Sequence, residues 1–484
     1  MTRRPLRFVI IGAGFSGVLS AIKLAEAGFD DVVVYEKAGR LGGTWRENTY
    51  PGVACDVPSQ LYSYSFALNP EWSHVFSPGT EILEYLEAVA ERFGVPSRVR
   101  YGTEVTGLAF IDGRWRIDTS QGPDVADVVI AATGVLHHPS YPEIEGIDTF
   151  AGPAFHSARW DHSVDLAGAR VGVIGTGSSA VQMTAALVDT VAELHLFQRT
   201  AQWIMPARND LIEEEDKERY RSDRSAMEVV RQQVYDTFTG HFGRAIIDAE
   251  SSEAKMIHEV CVANLERSVK DEDLRERLRP NYRAACKRLV MSPNFYQQIS
   301  KPNAFLITKP ISTIEPGGVR TADGTMHELD VLVFATGFRV DRFLRPIRVI
   351  GRGGLDLDQA WAKHPVAYLS VSVPEFPNLF MLNGPNGPVG NFPLIEVAEL
   401  QFGYVMQLID GLARGEWSEV SPQAHATVQR ESQRVEAAKS TIWATGCRSW
   451  YLDDEGIPAA WPWSFAQFGE EMSAPVLAEY DLRP

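Results

Sequence analysis

The chain has 484 residues, 45% hydrophobic and 23% charged, with a formal net charge of −17. That length asks for two or three lobes rather than one core, and the composition is that of a globular protein. The acidity, unrelieved by any run of Lys or Arg, excludes a nucleic-acid partner, and no apolar run reaches bilayer length, so a cytoplasmic protein with no membrane partner is expected. Arg3 and Arg4 ahead of an apolar run mimic a signal peptide, but that run is short and stops at a glycine motif. Four cysteines (Cys55, Cys261, Cys286, Cys447) form no CxxC pair. This excludes a dithiol flavin reductase and argues against a disulfide framework. The histidines form no metal-ligand cluster either, so no metal is expected.

In chain order, a buried strand at residues 8–11 runs into Gly12-Ala13-Gly14-Phe15-Ser16-Gly17 and a helix over 18–27, and the strand at 32–35 delivers Glu36. A strand at 128–132 breaks at Thr133-Gly134. The first pattern then recurs: a strand at 171–174 runs into Gly175-Thr176-Gly177-Ser178-Ser179-Ala180, a helix covers 181–188, and the strand at 194–197 delivers Gln198-Arg199-Thr200. Residues 211–278 are charged, glycine-poor and helix-forming, with helices predicted over 213–220, 227–237 and 255–267. A strand at 331–335 breaks at Thr336-Gly337. A turn-rich loop, Asn383 to Asn391, precedes a helix over 393–413, and a tail carries Trp443, Trp450, Trp461 and Trp463.

Strand, glycine turn and helix make a dinucleotide site. The first glycine permits the bend, the second lets backbone approach a pyrophosphate, and the third lets helix pack on strand. The helix start then offers free N–H groups and a positive dipole end. Glu36, 24 residues beyond Gly12, suits an adenosine ribose and repels a 2′-phosphate. Arg199 and Thr200 at the matching place in the second copy suit a 2′-phosphate. The contrast assigns FAD to the first site and NADPH to the second.

Between the two sites lies Phe150-Ala-Gly152-Pro-Ala-Phe-His156-Ser-Ala-Arg-Trp160-Asp161, and near the first lies Gly42-Gly43-Thr44-Trp45-Arg-Glu-Asn-Thr-Tyr50-Pro51-Gly52-Val-Ala-Cys-Asp56. These patterns, FxGxxxHxxxW[P/D] and GGxWxxxxYPGxxxD, resemble those of type I Baeyer–Villiger monooxygenases across essentially the whole chain. The related flavin-containing monooxygenases usually carry Phe or Tyr where Trp160 stands. The fold expected is α/β, with two Rossmann-like dinucleotide-binding domains and an inserted helical subdomain. Residues 1–144 and 341–484 form the FAD-binding domain (the latter with a C-terminal tail), 145–208 and 285–340 the NADPH-binding domain, and 209–284 the insertion.

The resemblance implies that NADPH reduces the flavin, that oxygen forms a C4a-peroxyflavin, and that its anion attacks a small ketone to give an ester or lactone. A persistent anion needs a fixed cation in a site of low dielectric. By resemblance that cation is Arg288, oriented by Asp56, with Lys287 reaching the 2′-phosphate beside Arg199. The FAD site is expected to use Gly12, Gly14, Phe15, Ser16, Gly17, Glu36, Lys37, Gly43, Thr44, Trp45, Asp56, Tyr62, Val105, Thr133, Gly134 and Asn386. The NADPH site is expected to use Gly175, Thr176, Gly177, Ser178, Ser179, Gln182, Arg199, Thr200, Lys287, Arg288, Thr336, Gly337 and Trp450. Phe150, Gly152, His156 and Trp160 form the fingerprint, with His156 a hinge hydrogen-bonder rather than a catalyst. Competing readings are an N- or S-oxygenase on the same scaffold, an NADPH oxidase and a dinucleotide sensor. Substrate size is not legible, because the pocket walls are expected in the insertion, the Arg288 region and residues 388–394.

Overall fold

The computed structural model describes residues 4–390 and 392–484; Arg3 of the leader-like stretch and Asn391 of the turn-rich loop lie outside them. Two five-stranded parallel sheets organise the chain. In the first, Phe8–Ile11 lies between Val32–Tyr35 and Val128–Ala131, with Val99–Arg100 and Leu379–Met381 at the edges. In the second, Arg170–Ile174 lies between Glu193–Phe197 and Val331–Phe334, with Ala304–Ile307 and Ala154–His156 at the edges. Phe8–Ile11, Val128–Ala131 and Val331–Phe334 are buried at every position, which is why they read as unbroken apolar runs rather than alternating ones. In both sheets the glycine turn leaves the strand at which the chain order reverses. That is where open α/β sheets leave a crevice beyond the carboxyl ends of their strands.

Antiparallel additions flank each sheet. Val105–Ile111, Arg114–Thr119 and Gly122–Ala126 form a meander that Arg348–Ile350 extends. Ile311–Glu315, Gly318–Thr321 and Met326–Glu328 form the other. The glycine-poor segment is helical as its composition predicts: Glu214–Ser222, Arg224–Thr237, a π turn Phe238–Phe242, Gly243–Ile247, Ser252–Ser268 and Glu272–Arg277. A two-stranded parallel pair, Ile204–Pro206 with Val290–Ser292, closes its neck. The predicted helix of the last third is Leu394–Arg414, ended by Gly415 at φ +71°, a conformation that glycine adopts without steric cost.

One expectation is corrected. Cys286 and Cys447, 161 residues apart, are joined as a disulfide, whereas Cys55 and Cys261 are free and buried. Spacing along the chain is blind to such a pair, because the fold and not the sequence brings the two together. Closing a loop of that length removes unfolded-chain entropy equivalent to roughly 5 kcal/mol on the chain-entropy model. The bridge sits in a cluster in which Ile246 and Ala249 of the insertion pack with Ile442, Trp443 and Tyr451 of the tail.

Candidate active site

At the first turn, Gly12 has φ +100°, and a Cβ there would stand 2.6 Å from the Ala132 carbonyl oxygen. A Cβ on Gly17 would stand 1.8 Å from the carbonyl oxygen of Gly12, so strand, turn and helix close on one another only through glycine. The helix Phe15–Glu26 has Gly14 at its cap and no capping side chain. The N–H groups of its first turn therefore remain available to an anion. Glu36 is buried; one of its oxygens accepts from the Ala13 N–H and the other from the Ala38 N–H, both at 2.9 Å. Arg46 completes its surroundings at 3.1 Å, a partner that no sequence signal announced. Oε1 thus accepts twice, while Oε2, with the Ala13 N–H alone, keeps a lone pair for a ribose hydroxyl.

Around this turn, Trp45 donates from Nε1 to the Tyr62 hydroxyl at 2.9 Å, and Phe15 meets the Tyr62 ring edge-on. Gly43, at φ +52°, lies where a Cβ would stand 3.1 Å from the Gly14 Cα. Thr44 opens the short helix Thr44–Glu47. Asn383, just beyond the edge strand Leu379–Met381, donates to Ser16 Oγ at 3.3 Å while its buried Oδ1 has no partner among the described residues. An unpaired buried acceptor beside a glycine turn fits a polar ligand in that crevice. Thr133 donates to the Phe343 carbonyl oxygen at 3.0 Å, Gly134 has φ +70°, and Lys37 is exposed. Val105 is buried at the start of the meander. Asn386 stands apart, its amide donating to Ala459 O and accepting from the Ala367 N–H. That side chain is committed to the tail and the neighbouring loop.

The second turn repeats the first. Gly175 has φ +126°, and a Cβ there would stand 2.2 Å from the Ala335 carbonyl oxygen. The helix Ser178–Leu187 starts after Gly177 without a capping side chain, so Ser178 and Ser179 sit in an open first turn. Thr176 donates to Thr200 O at 2.8 Å, tying the turn to the Arg199 strand end. Arg199 is exposed, and Lys287 is half-buried with its ammonium 5.1 Å from the Tyr282 ring centre. Burial first, and then the Arg199 charge, lower the Lys287 pKa. Neither cation has a carboxylate partner among the described residues. Two like charges gathered without compensation create a positive field suited to a doubly charged phosphate. Thr336 donates to Ser140 O at 2.5 Å, and Trp450 lies 39% exposed, its ring tilted against that of Tyr451 at 4.1 Å.

Gln182, on the second nucleotide helix, also joins that helix to the long motif. Its Oε1 accepts from the Tyr50 hydroxyl at 2.8 Å, and its Nε2 donates to Ala54 O at 3.0 Å. A Cβ on Gly52 would stand 2.7 Å from the Gln182 carbonyl oxygen. The long motif thus works as a clasp: Gly43 and Trp45 shape the first crevice, and Tyr50 to Ala54 dock on the second nucleotide helix. Two residues later comes Asp56.

Asp56 meets Arg288 in a two-pronged pair, Oδ1 to Nη2 at 2.7 Å and Oδ2 to Nε at 3.1 Å. Arg288 Nη1 donates to Gly390 O at 2.5 Å, and the Tyr451 hydroxyl lies against Gly390. The two charged side chains are 27% and 26% exposed, so the pair is partly open to solvent. Burial works against the Arg288 charge, but Asp56 and Tyr451 outweigh it and raise its pKa. The result is a permanent cation, fixed by a carboxylate and a carbonyl, between the two nucleotide crevices. Tyr451 had no signal in the sequence beyond its neighbour Trp450.

The fingerprint residues form a separate device. His156 is fully buried at the end of the edge strand Ala154–His156. Its Nδ1 accepts from the Ala158 N–H at 3.1 Å and its Nε2 lies 3.0 Å from Gly337 O. That pattern requires neutral imidazole with the proton on Nε2, and burial lowers its pKa to about 4. Trp160 packs edge-on against Phe155 at 5.0 Å. Gly152 leaves room where a Cβ would stand 2.4 Å from Asp330 O and 2.9 Å from the Phe150 ring. Arg159 reaches back to Glu47 at 2.9 Å, so the connector is latched to the clasp motif.

Known proteins resemble this chain along its length. A family model described as pyridine nucleotide-disulphide oxidoreductase matches residues 9–239, a span in which Cys55 is the one cysteine. An uncharacterised monooxygenase of Mycobacterium tuberculosis is 44% identical over 100% of this chain and 97% of its own length. A Baeyer-Villiger monooxygenase of Streptomyces coelicolor is 40% identical over 99% of this chain and 93% of its own. A solved structure, cyclohexanone monooxygenase from Rhodococcus sp. Phi1 bound to NADP+, superposes with a TM-score of 0.88 at 30% identity, covering 99% of both chains.

Proposed function

From the premise that this chain belongs to the Baeyer–Villiger monooxygenase family, we propose that it inserts one oxygen atom beside the carbonyl of a small ketone, giving an ester or lactone. The chain is an NADPH-dependent flavin monooxygenase, and its cofactors are FAD and NADPH. Bound FAD, once reduced by NADPH, supplies the activation of molecular oxygen.

The protein's part is positioning and electrostatics. The uncapped helix starts at Phe15 and Ser178 receive the two pyrophosphates, and Glu36 takes the adenosine ribose of FAD. Arg199 and Lys287 take the 2′-phosphate of NADPH. Arg288 supplies a fixed positive charge where negative charge gathers on oxygen as the ketone is attacked, and Asp56 keeps that charge aimed. Arg is suited to this because its charge survives any physiological pH. His156, neutral and bonded on both ring nitrogens, moves no proton in the reaction; it ties the connector to Gly337.

The observation that carries the ketone reading is the Asp56–Arg288 pair held between the two nucleotide crevices. A group that must bear negative charge there is served by a guanidinium. Oxygenation of nitrogen or sulfur needs a protonated, electrophilic oxygen and gains little from one. The test gives the purified flavoprotein NADPH and a panel of cyclic and linear ketones, following oxygen uptake and products together. Ester or lactone in proportion to NADPH supports the reading. Hydrogen peroxide alone, or oxygenation confined to amines and sulfides, overturns it.

A further inference from the structure

The C-terminal tail is fastened to the Arg288 segment at three points. Cys447 is bonded to Cys286, two residues ahead of Arg288. Tyr451, four residues after Cys447, sets its hydroxyl beside Gly390, whose carbonyl oxygen accepts from Arg288 Nη1. The same hydroxyl fills the space beside Gly390, where a Cβ would stand 2.1 Å from it. The ring of Trp443 lies 4.9 Å from that of Tyr451 and seals the cluster from the far side.

The backbone on the other partner supports a forced arrangement. Ala285 has φ +68°, a left-handed conformation that a residue with a Cβ adopts only when its surroundings impose it. From that bend Cys286 is buried against the tail, Lys287 lies over Tyr282, and Arg288 faces Asp56. Three consecutive side chains thus serve three different places, and the bridge fixes the first of them. With Tyr451 packed against Gly390, the guanidinium is held by the Asp56 carboxylate and the Gly390 carbonyl. Without it, a long side chain open to water on one side regains rotamer freedom.

We propose that Tyr451 is a positioning residue for Arg288 and that the Cys286–Cys447 bond is a thiol-sensitive staple that keeps the tail on the site. This rests on the role given to Arg288 above. A dithiol reductant opens the staple by exchange: the disulfide gains two electrons and two protons to become two thiols, and the reductant becomes a disulfide. Both sulfurs are buried, Cys286 at 0% and Cys447 at 6% exposure, so exchange requires the tail to lift first. Opening the staple then loosens Tyr451, and more of the electrons taken from NADPH leave as hydrogen peroxide.

Thiol titration of the unreduced holoenzyme in denaturant should find two thiols, those of Cys55 and Cys261, and all four after dithiothreitol; four before reduction overturns the staple. In the native holoenzyme, dithiothreitol and Cys447→Ser should each speed tryptic cleavage after the exposed Arg448 several-fold; unchanged cleavage overturns it too. Tyr451→Phe should raise peroxide release under NADPH and oxygen several-fold, with anaerobic flavin reduction by NADPH kept within twofold. Equal slowing of both marks a merely structural role and overturns the positioning claim, as does unchanged release. If Arg288→Ala itself leaves peroxide release unchanged, the role given to Arg288 fails, whereas the thiol count and Arg448 cleavage still judge the staple.

Discussion

Asp56 and Arg288 are 232 residues apart in the chain and meet through two parallel contacts of 2.7 and 3.1 Å. Planar, two-pronged pairing restricts the guanidinium in direction as well as distance. Arg288→Ala should therefore keep reduction of the flavin by NADPH and lose product formation by about two to three orders of magnitude, the scale of removing one fixed oxyanion partner. Stopped-flow reduction and product analysis check the two halves. Arg288→Lys should rescue little, since an ammonium keeps the charge but not the fork.

In the second crevice Arg199 and Lys287 repel one another, and neither forms an ion pair among the described residues. Removing one charged contact to a phosphate costs about 1.5–3 kcal/mol, on the order of tenfold to a hundredfold in affinity. Arg199→Ala should raise the KM for NADPH by that factor and leave the KM for NADH nearly unchanged, as steady-state kinetics with both nucleotides will read. A parallel rise in both would remove the phosphate from this corner of the site.

Gly17 touches the carbonyl of Gly12 so closely that any side chain collides with backbone. Gly17→Ala should yield protein with much less bound FAD, measured as the ratio of visible flavin absorbance to protein absorbance. The equivalent position of the second turn already holds an alanine, Ala180, fully buried. The same substitution is thus forbidden at one copy and native at the other.

His156 gives a pH dependence whose sign follows from its partners. Its folded pKa, about 4, lies below the ordinary value of 6.5, so the folded protein binds fewer protons than the unfolded chain between those values. Stability from this group is complete above about pH 6.5 and is lost as pH falls toward 4, by about 3 kcal/mol at 1.36 kcal/mol per unit. Thermal unfolding across that range should show the decline, and His156→Gln, which cannot be protonated, should flatten it. A curve equally steep in the variant would place the acid sensitivity elsewhere.

What could be read from the sequence follows the range of the forces involved. The two glycine turns were legible because steric demands on backbone act within a few residues. The helical insertion was legible because helix propensity is local as well. The clasp motif was visible as a pattern, but not as a joint between two crevices; only the fold puts Gly52 and Ala54 against Gln182. The Cys286–Cys447 bridge and Tyr451 left no trace, because partners so distant in the chain meet by topology alone. Asn386 shows the converse: turn chemistry marked its loop correctly, yet its side chain is committed to Ala367 and Ala459.

The narrow neck of the insertion has a further consequence. Since Ile204–Pro206 and Val290–Ser292 run side by side, the polypeptide leaves and re-enters the second nucleotide body at points about one strand spacing apart, roughly 5 Å. Residues 209–284 between them are, geometrically, a cassette, whereas Lys287 and Arg288 stand at the returning strand with the site. Lineages can lengthen, shorten or reshape it without moving either glycine turn. Laboratory chimeras that exchange residues 209–284 and leave Lys287 and Arg288 in place should therefore keep both nucleotide sites.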